Sequence, residues 1–120
     1  AYVPSGVDLA MLRPLFLSWP VVPVLAHPAA GSFPGESHYS EVLPPFSTVV
    51  RIMPEFLAAG LKGLEVYYPG HTDSHQEKLR RFAVSLGLLV TGGSDCHDRS
   101  HRPIGAAGLP EPVDFTEFFR

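Results

Sequence analysis

Three side chains in this sequence have the types and placement of metal ligands: His27, Asp95 and His97. Asp95 and His97 are two positions apart. In an extended segment such residues point to the same side, so a carboxylate and an imidazole can converge on one cation. Nitrogen and oxygen donors together suit zinc, manganese or iron better than calcium. Gly92-Gly93, just upstream, would let the backbone turn sharply and approach an anion. No Gly-Lys-Ser or Gly-Lys-Thr follows, so this is not a nucleotide P-loop. A bland reading stands beside each of these: Asp95 capping a turn, His97 in solvent, and His27 bonded to backbone ahead of Pro28.

Other candidates are weaker. Glu65, between Leu64 and Val66, reads as a carboxylate inside a strand, which must be paired or hydrogen-bonded. It fits both a partner orienting a ligand and a structural ion-pair member. His71 lies in the turn Pro69-Gly70-His71-Thr72, where it reads as a phosphate contact or as an inert exposed histidine. Arg99 and Arg102, in a polar loop around His101, have the chemistry to face a phosphate. His38, His75 and His101 read as surface residues. Cys96 points opposite to its neighbours in an extended segment and reads as a small buried thiol rather than a nucleophile.

The elements that must position these residues follow from periodicity and punctuation. Asp8 is a plausible N-cap, with Leu9, Leu12, Leu15 and Phe16 at helical spacing, and Pro20 and Pro23 stop that helix. Val21 to Ala26 reads as a buried strand that delivers His27 into a long loop from Ala29 to Ser47. Ser47 or Thr48 would cap a helix with Val49, Ile52, Met53, Phe56 and Leu57 on one face, kinked or started at Pro54 and ended by Gly60 or Gly63. Leu64 to Tyr68 reads as the second strand. Thr72 or Asp73 caps the next helix, with Leu79, Phe82, Ala83 and Leu86 as its stripe and Gly87 as its stop. Leu88 to Thr91 reads as the third strand, with a further strand at Ile104 to Ala107 and a helical turn at Phe115 to Phe119. The order βαβαβ implies parallel strands with right-handed crossover helices, and a site at the C-terminal strand ends. His27, His71 and the segment from Ser94 to His97 all fall there.

Composition bounds the rest. The 120 residues suffice for one domain, and 45% apolar content excludes disorder and a membrane-spanning protein by composition. Apolar runs such as Leu86 to Val90 are too short to cross a bilayer. A net charge of −3 with no basic cluster beyond Arg80-Arg81 argues against long nucleic acids and leaves small phosphorylated partners open. One cysteine permits no intrachain disulfide, which fits a cytoplasmic setting. No secretory signal is visible, and the first residue is Ala1 rather than Met, which fits a processed chain or a fragment.

Four blocks together resemble the PHP (polymerase and histidinol phosphatase) superfamily, in its branch of bacterial phosphoesterases. They are Ala1-Tyr2-Val3-Pro4, Val24-Leu25-Ala26-His27-Pro28, Gly63-Leu64-Glu65-Val66-Tyr67-Tyr68 and Thr91-Gly92-Gly93-Ser94-Asp95-Cys96-His97. The resemblance implies an α/β chain forming the C-terminal part of a distorted (β/α)7 PHP barrel, with residues 1–120 as a single partial domain. It implies divalent metals (manganese, zinc, iron or magnesium) held by His27, Asp95 and His97. It implies hydrolysis of phosphate esters on a small phosphorylated substrate or short oligonucleotide: nucleoside 3′,5′-bisphosphates or RNA 5′ ends. The family's N-terminal His-x-His is absent, and Cys96 and Asp98 replace the usual Phe and Gly. The missing N-terminal half of the barrel is therefore expected to be a partner, and the isolated chain inactive or nearly so. The alternative is a non-catalytic PHP-like binding or structural module.

Overall fold

A computed structural model describes residues 8–28, 45–96, 105, 108–110 and 116. Six elements run in the order α1 (Leu9–Ser18), β1 (Val24–Leu25), α2 (Phe46–Ala59), β2 (Gly63–Tyr67), α3 (Asp73–Ser85) and β3 (Leu89–Gly92). The expected alternation of strand and helix is therefore present. The three strands form one parallel sheet in the order β1-β2-β3. This is an α/β arrangement of three parallel strands and three helices. Apart from Gly105 and Thr116, the expected elements at Ile104 to Ala107 and Phe115 to Phe119, and the loop through residues 29–44, lie outside the described residues.

Helix α1 starts at Asp8, whose carboxylate accepts the Met11 N–H at 2.9 Å. It packs on α2, but no residue of it is fully buried, and Leu15 of the expected stripe is 52% exposed. Strand β1 is only two residues long because Pro20 and Pro23 flank the run and lack N–H groups. The Pro23 carbonyl accepts from Lys62 and Gly63, so the ladder to β2 starts one residue before the strand. Exposed Trp19, Val21 and Val24 leave the outer margin of β1 apolar.

Helix α2 begins two or three residues earlier than its sequence suggested. Pro45 takes the N-cap position with no side-chain bond, and Ser47 and Thr48 lie inside the first turn. The helix passes through Pro54 unbroken. The bond Pro54 cannot make would have gone to the carbonyl of Val50, on the exposed side, where water can satisfy it. Gly60, at φ +105, ends it. Helix α3 follows expectation: Thr72 Oγ1 caps the His75 N–H, and left-handed Gly87 closes the far end. Leu86 is exposed rather than part of the stripe, because the helix ends at Ser85.

The core is shared by α2 (Val49, Met53), β2 (Leu64, Val66) and α3 (Leu79, Ala83), closed by Leu61 and Leu88. Strand alternation sends Leu64 and Val66 into this core and Glu65 to the opposite face. The β2–β3 register slips between Glu65 and Tyr67, where Glu65 pairs with Thr91 and Tyr67 with Gly92. Such an irregularity re-aims side chains at a strand end. Among the described residues, no helix is long and apolar enough to cross a membrane.

Candidate functional site

Because the strands are parallel, their C-terminal ends share one edge of the sheet. β1 ends at His27, β2 runs on to Tyr68 and His71, and β3 leads to Ser94 and Asp95. His27 and Asp95, singled out from sequence, thus come to the same edge. His97, Arg99 and Arg102, with His38 and His101, lie outside the described residues.

Glu65 ties this edge together. Its Oε2 accepts the His27 backbone N–H at 2.6 Å, which joins β2 to the end of β1. Its Oε1 lies against the Gly93 Cα, so close that a Cβ there would overlap it. One carboxylate therefore touches the ends of both neighbouring strands. Burial pushes the Glu65 pKa up, opposed by the His27 N–H and the His27 charge, and reinforced by Asp95. Sequence alone left Glu65 between two roles, and the bond it makes spans 38 positions.

Two backbone conformations at this edge are unusual. His27 has φ +27 and Asp95 has φ +52, and they are the positive-φ non-glycine residues among those described. Each such conformation costs on the order of 1–3 kcal/mol and persists only where surroundings hold it. For Asp95 this corrects the extended-segment argument. The backbone there is left-handed, so alternation does not place the residue two positions on along the same face. Gly92 and Gly93 also act differently from expectation. Neither is left-handed; both sit where space is short, since a Cβ added at Gly92 would lie 3.0 Å from the Tyr67 carbonyl oxygen and one at Gly93 would overlap Glu65 Oε1.

His71 is not the exposed turn residue that its sequence context suggested. It is 5% exposed, and its Nδ1–H donates to the Val66 carbonyl at 2.6 Å. Burial lowers its pKa, with the Val66 bond opposing and the charges of His75 and His27 adding to the depression. Buried Tyr68 separates the two histidines, with His27 at 5.0 Å and 34° and His71 at 5.3 Å and 77° between ring centroids. Nδ1 of His27 and Nε2 of His71 are buried without a hydrogen-bond partner. Tyr68 carried no distinguishing signal beyond its place after a buried strand. Cys96, expected to be buried, is exposed because the chain has left the sheet by that point.

These two unpartnered imidazole nitrogens, on one edge with two carboxylates, are donors of the kind a transition cation takes. Among the described residues, no three His, Cys, Asp or Glu side chains assemble into a metal-holding group. His27, Glu65, His71 and Asp95 supply donor chemistry at this edge without grouping three together. Arg80 and Arg81 both pair with Glu77 on α3, and they hold its carboxyl pKa at about 2.

Over 51 residues the chain is 35% identical to the phosphoribosyl 1,2-cyclic phosphate 1,2-diphosphodiesterase of Eggerthella lenta. That stretch is 42% of this chain and 20% of the enzyme, so the similarity spans about a fifth of that relative's length. No family model matches the chain. No solved structure matches it. At the level these findings carry, the chain is similar to part of a phosphodiester hydrolase, on a parallel α/β sheet with polar groups gathered at its C-terminal edge.

Proposed function

We propose that this chain contributes the late part of a metal-dependent phosphoesterase of the PHP type, acting on nucleotide-type phosphate esters. The observation that carries the reading is the sheet edge itself. Left-handed His27 and Asp95 end two of its strands, a single carboxylate holds the first and abuts the approach to the second, and buried imidazole nitrogens stand unpaired there. The partial similarity to a phosphodiesterase supports the same reaction class.

On this reading His27, Asp95 and His97 hold divalent metal, manganese, zinc, iron or magnesium. Such an ion, when bound, lowers the pKa of a water and stabilises charge on a phosphoryl oxygen. Glu65 fixes the backbone from which His27 projects. Tyr68 walls the site between the two histidines. Arg99 and Arg102 supply positive charge to the phosphate of a nucleoside bisphosphate or a short RNA 5′ end. The chain by itself is expected to bind metal weakly and turn over no substrate, because its ligand set needs the other half of the barrel.

The test is equilibrium dialysis against Mn2+ and Zn2+, comparing the wild type with H27A and D95A. Each substitution should weaken binding at least tenfold. Metal content unchanged in both variants would sink the proposal. It would favour a non-catalytic PHP-like module, the reading for which the lack of a three-residue metal group among the described residues speaks.

A further inference from the structure

Helix α1 carries an apolar row that the fold leaves uncovered. Leu9, Leu12 and Phe16 are its partly buried positions, and Phe16 comes up against Gly60 at the end of α2. Met11, Leu15 and Trp19 are instead exposed, by 56%, 52% and 65%. The Trp19 N–H still donates to the Leu15 carbonyl at 3.0 Å, so the helical register reaches it. Spaced four apart, the three side chains form one ridge along the helix. Val21 and Val24, on the outer margin of β1, are exposed as well.

A helix face that meets water reads differently in this chain. On α3 the exposed positions include Asp73, Lys78 and Arg81, whereas Arg13 is the one charged residue of α1. The ridge and the two valines expose roughly 500 Å² of apolar surface, the size at which a patch on a soluble monomer marks an interaction site. Two such patches face to face would bury about 1,000 Å², the lower limit for a specific interface. Strand pairing cannot supply the contact, because β1 is two residues long and Pro20 and Pro23 offer it no N–H. Side chains must carry it. The ridge is also symmetric about Leu15, so a copy related by a two-fold axis fits it. Leu15 then meets the partner's Leu15, and Met11 meets the partner's Trp19, a thioether against an indole. Ridges of residues four apart on both helices interdigitate in the commonest class of helix packing.

We propose that the Met11–Leu15–Trp19 face of α1 is an interface between two copies of this chain, related by a two-fold axis at Leu15. The small area makes the dimer a reversible one. Trp19 precedes β1, at the opposite end of that strand from His27, so the contact leaves the strand-end site open. The inference stands independently of the phosphoesterase reading.

The experiment is sedimentation velocity on the full chain across the micromolar range, with tryptophan emission read on the same samples. Trp19 is the single tryptophan, so its emission reports the interface directly. One monomer–dimer equilibrium is expected, with emission moving to shorter wavelength at the same midpoint as the indole leaves water. The variant L15E sets two carboxylates against each other on the axis and should weaken the dimer about tenfold or more. R13E changes charge on the far side of α1, two positions from Leu15, and should dimerise as the wild type does. A monomer at every concentration would overturn the proposal and leave the face to a different polypeptide. So would assembly beyond a dimer, a dimer in which Trp19 emission does not move, or one that keeps its affinity in L15E. Because emission and mass are read on the wild type, they decide the matter even if L15E folds poorly.

Discussion

Substituting Gly93 by Ala tests the clamp at the sheet edge. The Gly93 backbone is not left-handed, so alanine suits its conformation and only space is at issue. An added Cβ overlaps Glu65 Oε1, and the Glu65 Cδ is the next atom, at 3.6 Å; no backbone atom or third neighbour comes within 4 Å. A free glutamate tip would swing aside cheaply. This one is pinned, because its other oxygen accepts the His27 N–H at 2.6 Å. Relief therefore breaks that bond. A hydrogen bond to a charged group is worth about 1.5–3 kcal/mol, so G93A should destabilise the chain by about 2 kcal/mol. Removing the carboxylate removes the obstacle, and in an E65A background G93A should cost less than about 0.5 kcal/mol. Urea unfolding of the four proteins gives the coupling directly, and amide exchange at His27 should accelerate in G93A. Equal costs for G93A in both backgrounds would refute the clamp.

Other outcomes can be stated briefly. Leu79→Ala empties a fully buried position where α3 meets β2, and should cost about 2–5 kcal/mol by denaturation, with the strand-end site lost alongside; a loss under about 1 kcal/mol would mean the core is not shared as described. In metal-free protein, His71 resists protonation because it is buried, so its folded pKa lies below its ordinary 6.5. Between the two values the unfolded chain binds a proton that the folded chain does not, so stability should fall as pH drops below 6.5 and level off beneath the folded pKa. Glu65 acts with the opposite sign, since its raised pKa erodes stability as pH climbs from 4.5 through the folded value. Stability against pH for wild type and H71N separates the two: the acid-side loss attributable to His71 should vanish in the variant, and identical profiles would contradict its burial in the neutral form.

Much of the fold was legible because it is written locally. The apolar period of α3, its Thr72 cap and its Gly87 stop all act within a turn or two of chain, and each holds in the structure except that Leu86 falls outside the buried stripe. The start of α2 was not legible. Ser47 and Thr48 are good caps by residue type, but the helix starts two or three residues further back, where Phe46 packs against Phe82 at 5.7 Å and 81°. For the site, strand order sufficed to bring His27 and Asp95 to one edge. It did not suffice for the conformation at Asp95, since alternation presumes an extended backbone and this residue is left-handed.

His27 and Asp95 are thus a case in two parts. By itself the sequence determined that this is an α/β chain of parallel strands and that its polar residues gather at the strand ends. Periodicity and capping residues require only local information. Tertiary structure alone decided what those residues face. It placed Glu65 between two strand ends, turned His71 inward from a Pro-Gly turn, and left two imidazole nitrogens unpaired around Tyr68. The physical reason is that a buried polar atom is satisfied by whatever the fold brings beside it, and the Glu65–His27 bond joins residues 38 positions apart.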